Sequence, residues 1–545
     1  MGEQEQNKDF NLVKFMKKNW NWVLLAIILV FGFYVRIYHL NFPVVGYHNL
    51  KEVHYLTEAR NFARDGFFKY GFFIPAWDYP KINDDPSGIH SDTFPTISII
   101  VGIFFKIFGF KLWVARLLNI FFALGSVVFF YLIIKKLFKR EDLALISTAL
   151  MSLNPLLTFF GRQVQLINPA LFFCLMGSYF YFKWLENFSW KNLLLFAIPM
   201  FLGILTKYSF VLFIIPLFFL FPFKELKDKK KWPQYLSIAI IAILSASWAI
   251  YASKVSKNIQ GQLLQFNLTD FFSGSFWKTM YYYAADNYTI LGVVLAFLGI
   301  VSFLILSKGK TLEGFKYIKY YLYSSVVWFI IFAGKLKGHN YHQYPIIPIV
   351  VFFIAYFFVV VSVNISRLFK LKHLRLVLPL ILIIILWIPS VNSKNRMFDT
   401  YFIGLDIAGE YIKANSKPGE RLLHSAHQSF GINWHADMKG ERITNLTELK
   451  YAEKNLNVSW LFVYQWGIPK YMQDQELWDY IKQAYSLKQF AFVQSGNELQ
   501  PVYFLFNKGG SFNESELNEY LQTKTISTKK YESTKGQMPL NYINI

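Results

Sequence analysis

The chain has 545 residues, 54% of them hydrophobic, with a mean hydropathy of +0.30. Soluble globular domains run about 45–50% apolar, so this composition excludes an ordinary soluble enzyme. Basic residues outnumber acidic ones 56 to 34, a net charge of +22, which in so apolar a chain points to positive cytoplasmic loops rather than to nucleic acid.

The first apolar stretch, Trp22–Tyr38, has no small-residue cleavage site behind it and is expected to stay as a helix. About 20 residues cross the bilayer core. Spans are therefore expected near 21–38, 113–134, 143–160, 166–185, 192–206, 208–223, 233–252, 289–307, 318–335, 343–365 and 374–391, about eleven in all. Cys174, the single cysteine, lies in one of these runs, so disulfide frameworks and cysteine metal sites are excluded. Basic clusters follow at Lys14/Lys17/Lys18, Lys135/Lys136/Lys139/Arg140, Lys224/Lys227/Lys229/Lys230/Lys231, Lys308/Lys310/Lys316/Lys319 and Arg367/Lys370/Lys372/Arg375. Placing all five in the cytoplasm requires that Phe94–Gly109 not cross, but lie on the outer face as a short re-entrant or interfacial helix. The amino terminus is then inside and the tail outside.

The first outer loop, 42–112, holds Glu52, Glu58, Asp65, Asp78, Asp84, Asp85 and Asp92. It opens with GYHNLKEVHYLTEARNFARDG, whose apolar spacing predicts a helix over 49–64 with Gly66 at its end. His48, Glu52 and Tyr55 would share one face, where a carboxylate could take the proton of an attacking hydroxyl; the plainer alternative is that Glu52 pairs with Lys51, His48 or Arg60. Asp84, Asp85 and Asp92 surround Pro86, Gly88 and His90, either as a functional loop or as an ordinary turn. Arg116, Arg162 and Lys207 fall near outer span ends, suited to a lipid phosphate or to snorkelling. A second outer segment, 253–288, is aromatic and ends in YYYAADNYT. In KLKGHNYHQYPIIP, His339, Tyr341 and His342 cluster with Gln343 and Tyr344. A divalent metal on the two histidines would still need a third ligand, and no other cofactor is indicated.

From about 392 the charges balance, and the pattern predicts a small α/β domain. Helices are expected at 404–414, 446–455 and 471–483, and strands at 420–424, 459–464, 488–495 and 501–507. The stretch 511–545 reads as a polar tail of disordered composition. The domains expected are thus a membrane unit over 1–391, an outer α/β domain over 392–510, and that tail.

Six segments in the first part of the chain carry a resemblance. They are ARNFARDG, FPTISIIVGIFFKIFG, WVARLLNIFFALGSVVFFYLIIKKLF, NPLLTFFGRQVQLINPALFF, GILTKYSFVLF and HNYHQYPIIP. In order and spacing they resemble the GT-C glycosyltransferases, in the branch of protein mannosyltransferases and aminoarabinose transferases. The resemblance implies a mainly α polytopic membrane protein with an outer α/β domain, integral to the plasma or inner membrane. It also implies an inverting enzyme that moves a sugar from a polyprenyl-phosphate donor to a lipid, glycan or protein acceptor. The family's first-loop Asp-Glu pair reads Lys51-Glu52 here, with Tyr55 kept, and a second family aspartate is Asn168. Glu52 is therefore the expected base, with Asp92, then Asp84 and Asp85, behind it. His48, Tyr55, His90, Arg116, Arg162, Lys207, His339, Tyr341 and His342 are the expected substrate contacts. A lipid-linked-sugar transporter and a non-catalytic assembly protein are the alternatives; neither inverted repeats nor midplane acids favour the first.

Overall fold

A computed structural model describes residues 19–67, 69, 93–255, 268–496 and 498–545. The chain is a mainly α membrane protein followed by an α/β domain. Among the described residues, four helices are long and apolar enough to cross a bilayer: Leu112–Phe138, Lys229–Lys254, Asn340–Leu368 and Leu374–Phe398. Two bent pairs, Glu141–Ser152 with Pro155–Arg162 (57°) and Gly274–Asn287 with Ile290–Leu306 (97°), bring the number to as many as six. Shorter apolar helices, Trp20–Arg36, Trp190–Thr206 and Tyr208–Leu220, stand where further spans are expected. Leu236, Ile243, Leu244, Phe297, Ile305, Ile384 and Ile388 are exposed on these helices. Exposed apolar side chains in such number are stable against lipid and not against water.

The segment expected not to cross forms the helix Thr96–Phe108, of 13 residues. At about 1.5 Å per residue it is too short for the bilayer core. It packs on the first-loop helix Asn49–Asp65. Their close approach needs Gly102, where a Cβ would stand 3.1 Å from the Ala59 carbonyl oxygen.

The α/β domain has one seven-stranded sheet, ordered β2-β1-β3-β5-β4-β7-β6. Its strands are β1 (Arg421–His424), β2 (Gly440–Arg442), β3 (Val458–Tyr464), β4 (Tyr485–Ser495), β5 (Glu498–Lys508), β6 (Ser527–Ser533) and β7 (Gly536–Asn544). β2, β1 and β3 are parallel and the other pairs antiparallel. β3 is buried on both faces, as parallel strands covered by helices are. Leu461 and Val463 enter one core with Trp478 and Phe506, while Trp460, Phe462 and Tyr464 enter the other with Leu422 and Tyr503.

Two expected boundaries move. The helix Leu374–Phe398 runs past residue 392 before the domain begins. The stretch from Ser511 is not a disordered tail: it forms the helix Glu516–Thr523 and the hairpin β6–β7, and β7 pairs with β4. Its average composition is polar because alternate residues face water, yet Tyr531, Leu540 and Ile543 are buried.

The first loop is built into this domain. Phe402 N–H donates to the Val45 carbonyl at 2.7 Å, and Val45 lies in the domain's core. Val44 N–H donates to His435 Nε2 at 3.2 Å and Asn49 Nδ2 to the Gln428 carbonyl at 2.9 Å. Arg60 and Arg64 both pair with Asp437, at 3.1 and 2.9 Å.

Candidate active site

The first-loop helix begins after His48, which takes a left-handed conformation (φ 58°). That turn sends neighbouring side chains to different sides. Glu52 faces inward and is 2% exposed, paired bidentately with Arg116: Nε and Nη2 each donate to it at 2.9 Å. Val164 N–H also donates to Glu52, at 3.3 Å. The remaining Arg116 nitrogen, Nη1, donates to the carbonyls of His39, Leu40 and Phe42 at 3.1, 3.2 and 2.5 Å. Arg162 Nη1 donates to the carbonyls of Tyr38 and His39 at 3.2 and 2.9 Å, and its guanidinium lies 4.8 Å over the Phe398 ring. Tyr55 is buried in the apolar cluster beneath the helix with Leu56 and Ala59.

Lys51 and His48 belong to a different group. The His48 ring stands 4.9 Å from that of His339 and 5.2 Å from that of Tyr341. His339 stacks on Tyr341 at 5.2 Å, Tyr341 contacts His342 at 4.6 Å, and Lys207 Nζ lies 5.7 Å over the Tyr341 ring. The sequence places these residues well. His339 caps the 3-10 turn Asn340–Ile346, which leads into the helix Ile347–Leu368, and Lys207 ends the helix Trp190–Thr206. Tyr344 anchors the turn by donating to Asn168 Oδ1 at 2.8 Å; Asn168 Nδ2 in turn donates to the Phe160 carbonyl at 2.7 Å.

A family model described as dolichyl-phosphate-mannose-protein mannosyltransferase matches residues 90–251. No curated protein matches the chain significantly in sequence. Among solved structures, ArnT from Cupriavidus metallidurans in the apo state is similar over 90% of this chain and 98% of its own, with TM-score 0.57 and 13% identity. The same protein bound to undecaprenyl phosphate gives TM-score 0.55 and 12% identity over 89% and 98%. The Archaeoglobus fulgidus oligosaccharyltransferase, in complex with Zn and sulfate, gives 0.54 and 13% over 94% and 79%. The chain has the GT-C glycosyltransferase fold.

On the GT-C frame, several expected roles change. Burial alone would raise the Glu52 carboxyl, but the Arg116 ion pair, Arg162 and the Val164 N–H hold it below its ordinary value. A buried carboxylate held ionised by a bidentate partner is a poor proton acceptor, so Glu52 does not fit the base expected of it. Arg116 spends all three nitrogens on Glu52 and the loop carbonyls, and Arg162 Nη1 adds bonds to the Tyr38 and His39 carbonyls, so both fix the loop. His48 and Glu52 do not share a working face: the neighbours that act on His48 are His339, Lys51 and His427, whereas Arg116 and Arg162 act on Glu52. Tyr55 packs in the apolar cluster, its ring 4.8 Å from that of His54. Lys207, His339, Tyr341 and His342 do come together, with His48. Asp84, Asp85, Asp92 and His90 lie outside the described residues.

The group is rich in nitrogen donors. Burial, then His339 and Lys51, push His48 down to about 3; burial, then Lys51 and Lys207, push His339 down to about 4. Both rings are neutral at pH 7, beside two lysines. Among the described residues no three His, Cys, Asp or Glu side chains are placed to hold a metal. Among those residues a divalent cation on His339 and His342 finds no third ligand, and the lysines beside them oppose a cation. Two members escaped the sequence reading as site residues. Lys51 registered as a lost aspartate and as a possible partner of Glu52, and His427 comes from the distant α/β domain, with no local pattern to mark it.

Proposed function

We propose that this protein is a glycosyltransferase that takes sugar from a polyprenyl-phosphate donor at the outer face of the plasma or inner membrane, with its amino terminus in the cytoplasm. The observation that carries the reading is the convergence of Lys51, Lys207, His48, His339, Tyr341 and His342 on one site. Positioned lysines and ring N–H groups stabilise negative charge that grows on a leaving phosphate. ArnT, which shares the fold, has been solved with undecaprenyl phosphate.

In this reading the acceptor oxygen attacks the anomeric carbon as the bond to the donor phosphate breaks, and Lys51 and Lys207 take up the charge on the departing polyprenyl phosphate. Glu52, Arg116 and Arg162 position the helix that presents Lys51. The base falls to the loop acids Asp84, Asp85 and Asp92, the remaining expected candidates once Glu52 is committed. A non-catalytic lipid-phosphate binder is the second reading, favoured by lysine at the family's aspartate position.

Proteoliposomes with radiolabelled undecaprenyl-phosphate sugars test both. Transfer to endogenous lipid, glycan or protein, lost in Lys51→Ala, supports the enzyme. Undecaprenyl phosphate binding without turnover of any donor supports the second reading, and absence of binding sinks both. A Lys51→Asp variant that transfers faster than wild type would remove Lys51 from phosphate binding.

A further inference from the structure

The carboxyl ends of the parallel strands β2, β1 and β3 meet beside the first-loop helix. In open parallel sheets the crevice at such strand ends is where ligands bind. His424 ends β1 and is in register with Arg442 at the end of β2. His424 is fully buried; its Nδ1 is bonded to the Ala426 carbonyl at 3.0 Å, and its Nε2 has no partner among the described residues. Arg442 is exposed. Two acids close to it in the chain accept backbone bonds: Glu441 from Arg442 N–H at 2.8 Å, and Glu448 from Thr444 N–H at 2.6 Å.

The turn after β1, His427–Phe430, crosses to the membrane unit. Gln428 accepts from Asn49 Nδ2 at 2.9 Å, which seats His427 over the first turn of the helix that carries Lys51. His427 is exposed, rests edge-on against Phe430 at 5.5 Å, and lies within electrostatic reach of both Arg442 and Lys51. Among the described residues neither Lys51 nor Arg442 forms an ion pair, whereas Arg60 and Arg64 both do. Two cations from separate parts of the chain thus flank one exposed imidazole. Holding like charges together is costly unless an anion joins them, and a guanidinium fork fits a phosphate or carboxylate bidentately.

We propose that this crevice binds an acidic group of the acceptor, a phosphate monoester or a carboxylate, through Arg442 and His427, with Lys51 at its border with the donor site. The name acceptor rests on the glycosyltransferase reading; the anion site itself does not.

The test uses the full chain in nanodiscs saturated with undecaprenyl phosphate, titrated with glucose 1-phosphate, glucuronate and neutral glucose by saturation-transfer NMR. A sugar anion should bind and glucose should not; which anion binds identifies phosphate or carboxylate as the source. Arg442→Gln should weaken that binding about 10-fold, the scale of a lost charge-assisted hydrogen bond. Arg442→Lys should recover part of it, and undecaprenyl phosphate affinity should stay unchanged. Arg442 is exposed on a short edge strand, so an unchanged melting temperature excludes misfolding. Equal binding of glucose and the anions overturns the proposal, as does unaltered anion binding in Arg442→Gln or one-for-one displacement of the anion by undecaprenyl phosphate. Undecaprenyl phosphate failing to bind, while the anion still depends on Arg442, would overturn the donor reading alone.

Discussion

Replacing Glu52 separates a structural carboxylate from a catalytic one. Glu52→Gln keeps the shape and removes the charge that accepts two bonds from Arg116. A hydrogen bond to a charged group contributes about 1.5–3 kcal/mol. Arg116 keeps its three loop carbonyls, so the loss should stay near that value. Arg116→Met should be worse, about 3–5 kcal/mol, because it leaves Glu52 as a buried charge without its partner. The double variant Glu52→Leu/Arg116→Met should recover part of that, since no charge is left buried. Thermal unfolding in detergent orders the three variants, and transfer per folded molecule is measured on the same samples. A general base is worth about 100- to 10,000-fold in rate. The reasoning fails if Glu52→Gln melts like wild type and loses turnover on that scale.

Three further outcomes are expected. Lys207→Ala should weaken undecaprenyl phosphate binding by about 1.5–3 kcal/mol, measured by titration in nanodiscs; unchanged affinity would return Lys207 to packing on Tyr341. Folded His339 is held near 4, below its ordinary 6.5, so between those values the unfolded chain binds more protons. Stability should therefore be full above about 6.5 and fall as pH drops toward 4, and His339→Gln should flatten the part of the melting-temperature profile that His339 supplies. In a Cys174→Ser background, a membrane-impermeant thiol reagent added to sealed cells should label Glu498→Cys and spare Lys229→Cys; the reverse pattern would invert the topology.

Much of the α/β domain was legible because strands such as Val458–Tyr464 are near-continuous apolar runs bounded by turn residues. The hairpin after Ser511 was not, since β6 is an edge strand whose Lys529, Lys530 and Glu532 dilute the apolar signal of Tyr531. The site was legible in pieces. His339, Tyr341 and His342 cluster locally in sequence, and Lys207 ends an apolar run. The face of Glu52 was misread because helical spacing was carried one residue back beyond the helix to His48, whose left-handed backbone breaks the phase before Lys51. That His427 and Arg442 approach Lys51 depends on strand order, which no local pattern encodes.

The insertion of the first loop into the sheet domain also sets a timetable for biogenesis. Val44 and its partner His435 are separated by 391 positions. At about 5–20 residues per second of synthesis, roughly 20–80 s pass between their emergence. During that interval Val45 and the helix behind it lack their backbone partners, and an apolar segment stands open to proteases and chaperones. A chain stopped before residue 400 would insert its helices normally and still lack the hydrogen bonds with Phe402, His435 and Gln428 that seat the helix of Lys51. Nascent-chain proteolysis within 42–66 should therefore persist until the last domain is made, and then cease abruptly.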